Sequence, residues 1–307
     1  IFGPNFLALF PLGGVNLHPS LLPKYRGCTP VPAAILNRDK QTAITIQTLG
    51  LKMDEGDILA QKIVDLDFSE TGESLLNITD KTGEVDYSFT NEKRVIFCFP
   101  IHGWQPPRIL RDFIKNLPEA DLKDKSIYAL CTCGDSVGNA INILRKDLKS
   151  KGWHLNGAFS LIMPESYVCL PFMYTDKPER ERQKIQNATE DLKDIAGKIK
   201  NNITGIEQLH KGATPWIYTN VIGEYFNKRM ITDRPFNVDS QLCIGCGKCQ
   251  SICPTCNISL KNAMPQWQQT MCTCCLACYH HCPTHAINYG RITKKRGQYY
   301  FGKSNNK

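Results

Sequence analysis

The chain has 307 residues, 42% of them hydrophobic, and 37 Lys/Arg against 29 Asp/Glu give a formal net charge of +8. That length allows two or three domains, and no apolar run nears the roughly 20 residues that span a bilayer, so no membrane role is expected. Fifteen cysteines would suggest disulfides in a secreted protein, but eight share one repeated spacing, and the apolar start Ile1–Leu12 has neither a basic n-region nor a small-residue cleavage site. The expectation is a reducing, oxygen-poor cytoplasm.

The first pattern in chain order is Asn16-Leu-His-Pro-Ser-Leu-Leu-Pro-Lys-Tyr-Arg-Gly27, followed by Asp54-Glu-Gly-Asp57. Asn16 and His18, two apart on an extended strand, project to the same side. Over about residues 1–68 these motifs resemble methionyl-tRNA formyltransferases and related formyltetrahydrofolate enzymes. The resemblance implies a catalytic trio of Asn16, His18 and Asp54. The amide would stabilise the oxyanion formed as an amine attacks the formyl carbon, while His18 and Asp54 move protons. It covers about a quarter of such an enzyme: most of the first sheet half and the tRNA-contacting C-terminal domain have no counterpart. The start at Ile1 reads as truncated.

From about 69 to 203 the pattern changes. Arg94-Val-Ile-Phe-Cys-Phe99 is a continuous apolar run of the kind that forms buried parallel strands. An amphipathic helix from Pro106 follows, with Ile109, Leu110, Phe113, Ile114 and Leu117 on one face. A second unit repeats the plan: strand Ser126–Cys131, loop Thr132–Asp135, then a helix carrying Val137, Ala140, Ile141, Leu144 and Leu148. A third strand, Gly157–Met163, precedes a helix Pro178–Asn202 with Ile185, Ala188, Leu192, Ile195 and Ile199 in register. This alternation predicts a doubly wound parallel sheet, with ligands at the strands' carboxyl ends. Cys28, Cys98, Cys131, Cys133 and Cys169 fall in apolar segments and read as small core residues.

Phe99-Pro-Ile-His-Gly-Trp-Gln-Pro-Pro107, Cys131-Thr-Cys-Gly-Asp135 and Thr214-Pro-Trp216, with the cysteine motifs below, resemble anaerobe proteins that fuse a flavodoxin-like domain to a two-cluster ferredoxin. The resemblance spans about Gly72 to Gly302. It implies a flavin mononucleotide (FMN) between His102, Gly103 and Trp104 on one loop and Thr132, Cys133, Gly134 and Asp135 on the other. Trp104 would offer a stacking face; it also reads as a partly buried aromatic at a strand end. The family's opening strand and S-G-T-G-N-S phosphate loop are not here. Ser69-Glu-Thr-Gly-Glu-Ser74 is a decoy, because only 19 residues separate Ser74 from Arg94, where a helix, a strand and their loops need roughly 25–30. Leu75–Asp80 then reads as the family's second strand, and a flavin phosphate is left without its anion nest. A helical linker is expected over 204–235.

The last domain, 236–302, carries C-x2-C-x2-C-x3-C-P twice: Cys243, Cys246, Cys249 and Cys253 before Pro254, then Cys272, Cys275, Cys278 and Cys282 before Pro283. Three thiolates at that spacing wrap one face of a four-iron cube, and the fourth reaches the other cube. One 4Fe-4S cluster is therefore assigned to Cys243, Cys246, Cys249 and Cys282, the other to Cys272, Cys275, Cys278 and Cys253. Structural zinc is the competing reading. Gly245 and Gly247 let backbone N–H groups point at cluster sulfurs, with Ile244, Ile252 and Leu276 as apolar neighbours. Cys256 and Cys274 are off the spacing and read as bystanders. His280 and His281 read as packing residues or as hydrogen-bond donors behind the ligands. Ile258–Leu260 and Pro265–Trp267 read as a hairpin, Ala286–Tyr289 as a closing strand. From Ile195 to Lys307, 14 Lys/Arg face 4 Asp/Glu. The excess at Arg291, Lys294, Lys295 and Arg296 suits an acidic redox partner or an ordinary solvated tail. Nucleic-acid binding is a weaker reading, since only Tyr299, Tyr300 and Phe301 follow. Residues 303–307 are a tail.

The expected fold class is α/β: a flavodoxin-like parallel sheet lacking its first strand, an α+β two-cluster bacterial ferredoxin module, and an N-terminal α/β formyltransferase fragment. The expected function is electron transfer through two 4Fe-4S clusters, to or from a flavin. The alternatives are formyl transfer by the N-terminal segment, or a recombined chain in which only the ferredoxin module functions.

Overall fold

The computed structural model describes residues 13–26, 39–49, 54–66, 92–118 and 124–301, with positions 34, 76, 78 and 122. The chain divides into two units, Ile1–Leu76 and Asn77–Lys307.

In the first unit, β1 (Val15–His18), β2 (Gln41–Thr48) and β3 (Ile58–Asp65) form an antiparallel sheet in the order β1-β2-β3. Its register sets Asn16 opposite Gln47 and His18 opposite Thr45. Period-two alternation buries Ala43, Thr45 and Gln47 along β2. The Thr45 hydroxyl donates to the Ser20 carbonyl at 2.6 Å, and so ties the turn after β1 to the middle strand.

The second unit begins with four parallel strands in the order β4-β5-β6-β7: Arg94–Pro100, Ser126–Cys133, Leu155–Ile162 and Ile206–Gln208. Helices α1 (Arg108–Asn116) and α2 (Ala140–Lys149) supply Leu110, Ile114, Ile141, Leu144 and Leu148 to one side, against Phe97, Phe99, Ile127, Ala129 and Cys131. Helix α3 (Pro178–Lys200) supplies Ala188, Ile195 and Ile199 to the other, against Tyr128 and Phe159. Among the described residues no helix is long and apolar enough to cross a membrane.

Several expectations are corrected. The helix expected from Pro106 starts at Arg108, because Pro107 holds an extended cap (ψ 141). Thr132 and Cys133 are the last residues of β5 rather than loop. Leu192 is 43% exposed, while Lys184 takes the buried place in the α3 stripe, since its ammonium reaches Asp176 Oδ2 (2.7 Å) and the Gly134 carbonyl (2.8 Å). The expected helical linker contains β7, which pairs with β6 before the helical run 215–230 begins. Cys98 is exposed, because β4 buries only Phe97 and Phe99 on its inner face, whereas Cys131, Cys133 and Cys169 are buried. Cys28 and Ser69–Ser74 lie outside the described residues. Of the strand expected over Leu75–Asp80, only Leu76 and Ile78 are described, and neither is in a strand.

The cysteine-rich end consists of β8 (Phe236–Val238), α4 (Lys248–Ser251), β9 (Ile258–Lys261), β10 (Met264–Trp267), α5 (Ala277–His280), β11 (Ile287–Tyr289) and a 3-10 turn at Ile292–Lys295. β9 and β10 form the expected hairpin, its two turn residues Asn262 and Ala263 both left-handed, and β11 closes against β8. Its core is wider than the module alone could build. Val168 and Cys169, from the segment after β6, pack with Phe236, Ile258, Leu276, Tyr279 and Ile287. The basic tail is partly docked: Arg296 lies 3.6 Å from the centre of the Tyr174 ring and Tyr299 is buried, while Arg291, Lys294 and Lys295 stay exposed.

Candidate functional site

In the first unit Asn16 and His18 leave β1 on the side where Asp54 waits in the β2–β3 connection. Asn16 Nδ2 donates to Asp54 Oδ1 at 3.2 Å, and His18 Nδ1 lies 3.7 Å from Asp54 Oδ2. The other imidazole nitrogen is 3.1 Å from the Tyr25 carbonyl, which fixes the ring's orientation. Asp54 has φ +52, and Arg26 Nε holds its carbonyl at 2.8 Å. Gln47, buried on β2 opposite Asn16, donates to Asp54 Oδ1 at 3.1 Å. Sequence reasoning missed it; its signal was its place in the buried alternation of β2, which needs the register to be read. An amide, an imidazole and a carboxylate thus converge as a proton-relay and oxyanion-stabilising set would.

At the carboxyl ends of β4 and β5 the structure brings the second set of candidates together. Ile101 N donates to the Thr132 carbonyl at 2.8 Å, and His102 and Gln105 bracket a tight turn at Gly103 and Trp104, both with positive φ. Trp104 Nε1 donates to Ser136 Oγ at 3.1 Å, which links this turn to the loop carrying Gly134 and Asp135. Packing around His102 pushes its pKa down to about 4, so the ring is neutral at pH 7. The helical run 215–230 then covers the turn. Tyr218 lies 4.7 Å from the Trp104 ring, and Phe226 lies where a Cβ on Gly103 would be. Thr219 and Asn227 donate to the carbonyls of Trp104 and His102. Tyr218 and Phe226 thus pack against the turn that carries His102, Gly103 and Trp104.

The cysteines present a different picture. One pocket is lined by Cys243, Cys246, Cys249 and Cys282, and another by Cys253, Cys272, Cys275 and Cys278. Each quartet takes three sulfurs from one motif and the fourth from the other. Among the described residues, no three His, Cys, Asp or Glu side chains gather about one point as a lone ion requires. The donors instead ring a space, as a four-iron cube with thiolates at its corners needs. The residues fit that group. Burial pushes the Cys272 thiol up to about 12, and Cys278 well above its ordinary value. Such sulfurs ionise only against cationic iron, so loading the site releases protons.

The backbone around the two cavities repeats with an offset of 29 residues. Gly245 and Cys274 (φ +64 and +52), Gly247 and Leu276 (+73 and +60), and Cys256 and His285 (+51 and +56) are left-handed in pairs. These bends turn N–H groups inward: Asn257 N donates to Cys253 Sγ (3.3 Å), Ala286 N to Cys282 Sγ (3.2 Å) and Cys274 N to Cys272 Sγ (3.3 Å). Ile244 is 67% exposed at the rim of the first cavity, whereas Leu276 is buried at the second. His280 and His281 serve packing: His280 Nε2 is 2.6 Å from the Ser166 carbonyl, and His281 stacks on Tyr300. Sequence reasoning missed Asn257 and Asp233. Buried Asn257 donates to Asp233 Oδ2 at 2.7 Å and accepts from the Thr270 N–H and hydroxyl at 3.0 and 2.8 Å, clamping the segment before Cys272 to the one after Cys253.

Comparison with known proteins matches two stretches. Residues 1–88 match the formyl transferase family model, and residues 236–296 match that of the 4Fe-4S dicluster domain. The N-terminal stretch is 62% identical over 77 residues to methionyl-tRNA formyltransferase of Treponema pallidum (strain Nichols), which is 25% of this chain and 24% of that protein. It is 66% identical over 76 residues to the Treponema denticola protein of the same name, again 25% and 24%. A solved structure, phosphoribosylglycinamide formyltransferase from Bacillus halodurans, is 36% identical over 22% of this chain and 36% of that one, with a TM-score of 0.22. The chain thus spans about a quarter of the length of the curated relatives it matches. It carries a formyltransferase-type fragment and a 4Fe-4S dicluster domain, and the latter supports an electron-transfer role.

Proposed function

We propose that the chain is an electron-transfer protein holding two 4Fe-4S clusters, one on Cys243, Cys246, Cys249 and Cys282, the other on Cys272, Cys275, Cys278 and Cys253. The observation that carries this reading is the division of eight cysteines into two cavity-lining quartets that cross between motifs. The clusters, when bound, supply one-electron chemistry. The polypeptide's part is to orient the thiolates, direct the Asn257, Cys274 and Ala286 N–H groups at sulfur, and exclude water with Phe236, Trp267 and Leu276. Lys248 in the wall of the first cavity, with exposed Arg291, Lys294 and Lys295, suits an acidic redox partner. A flavin as further carrier would face the turn His102–Trp104, against which Tyr218 and Phe226 pack. Anaerobic reconstitution should give about eight iron and eight sulfide per chain and a visible absorbance bleached by dithionite. Two zinc ions in a colourless protein would refute the assignment.

The first unit favours a second reading. Asn16 donates to Asp54 at 3.2 Å and His18 Nδ1 lies 3.7 Å from the same carboxylate, an arrangement that suits formyl transfer from 10-formyltetrahydrofolate to methionyl-tRNA. The full chain should then formylate methionyl-tRNA, and His18→Ala should lower the rate by about 10²-fold or more. A rate at background for wild type and variant alike dismisses it.

A further inference from the structure

We propose that the Trp267 indole N–H donates a hydrogen bond to a sulfur of the iron–sulfur centre on Cys272, Cys275, Cys278 and Cys253, and so raises that centre's reduction potential. The inference rests on the cluster reading above. It starts from an orphaned donor: Trp267 Nε1 is buried and has no hydrogen-bond partner among the described residues. A buried N–H left unpaired is costly, so such donors are nearly always satisfied. An indole nitrogen donates and does not accept, so what it lacks is an acceptor. Arg296 Nη1 and Tyr299 Oη are also buried without hydrogen-bond partners among the described residues, but neither residue lines a cysteine pocket.

The surroundings of the ring are a second, independent observation. Trp267 ends β10 and lines the second cysteine pocket beside Phe236, Leu276 and that quartet. Its ring is stacked on Phe236, with centroids 5.2 Å apart and planes within 6°, and Phe236 in turn meets Tyr289 edge-on at 5.0 Å. Swinging the indole out to solvent would break this stack. The backbone is held as well: Trp267 pairs with Ile258, and Gln268 N donates to the Asn257 carbonyl at 2.9 Å. Asn257 is the residue whose own N–H reaches Cys253 Sγ, while its Oδ1 is taken up by Thr270 and Met271. The acceptors this pocket gathers are four cysteine sulfurs, which carry negative charge once the centre is loaded.

The sign of the effect follows from charge. Reduction by one electron makes the centre more negative, and a donor N–H stabilises the more negative state more strongly. The indole keeps its proton in both states, so its part is electrostatic. The first pocket is walled instead by Leu260, Ala263, Pro265 and Ile287 and has no indole among its lining residues. The hydrogen bond therefore acts on one centre of the pair, which gives the chain a means of setting the two potentials apart.

The test uses the anaerobically loaded full-length chain in three forms: wild type, Trp267→Phe, and a variant with benzothiophene in place of the Trp267 indole. The last keeps the shape of the ring and loses only its N–H. Redox titrations followed by paramagnetic resonance, with Cys246→Ser to assign the second centre's signal, should show its reduced-to-oxidised ratio lowered about tenfold at fixed potential in both variants. That is about 59 mV for one electron, and the first centre's midpoint should stay where it is. With tryptophan labelled at the indole nitrogen, the reduced second centre should show a nitrogen hyperfine coupling that Trp267→Phe abolishes. In iron-loaded protein, an unmoved midpoint in the benzothiophene variant, or no such coupling in wild type, overturns the hydrogen bond. A chain that holds no iron overturns the cluster reading instead, and the iron assay separates the two results.

Discussion

Cys246 and Cys253 lie seven residues apart in one motif, yet line different cavities. Each single Cys→Ser change should therefore extinguish a different cluster, taking iron from about eight to about four per chain. Double variants separate the topologies further. If ligation crosses, Cys246→Ser/Cys253→Ser disables both quartets and leaves almost no iron. Cys246→Ser/Cys282→Ser, with one change in each motif, damages only the first quartet and keeps about four. If each motif held its own cluster, the two results would exchange. The assay is iron and sulfide analysis of anaerobically reconstituted protein, with paramagnetic resonance of the reduced state to identify the surviving centre. Equal signals lost in Cys246→Ser and Cys253→Ser would refute the crossed quartets.

Asn257→Ala removes one of two donors to buried Asp233 and the acceptor of Thr270; urea unfolding should show a loss of about 1–3 kcal/mol, with the second cluster released first. Leu144→Ala, at a side chain with no exposure between α2 and the sheet, should cost about 2–5 kcal/mol in the same measurement without changing iron content. His102 has a folded-state pKa of about 4 against an ordinary 6.5, so the folded state binds fewer protons between those values and stability falls as pH drops through that window. Denaturant titrations at pH 7 and pH 5 should differ by at most about 2 kcal/mol from this group, a slope that His102→Gln removes.

Much of the fold was legible because its signals are local. The runs Arg94–Phe99 and Ser126–Cys131 and the apolar stripes of α1 and α2 declare a layered α/β unit from periodicity alone. β7 was not legible: Ile206–Gln208 is three residues long and becomes a strand only by pairing with β6. Lys184 reads from sequence as a solvent-facing charge, and only the approach of Asp176 and Gly134 makes its burial tolerable.

The sequence by itself carried the signature of the 4Fe-4S dicluster domain, since the cysteine spacing is local. It also determined the kinship of the first unit, whose motif residues are contiguous. Only the tertiary structure decided which side chains complete those sites. Gln47 meets Asp54 through strand register, and Asn257 meets Asp233 across 24 positions. Burial and hydrogen bonding between distant segments depend on how layers pack, and no local pattern of residue types encodes that packing.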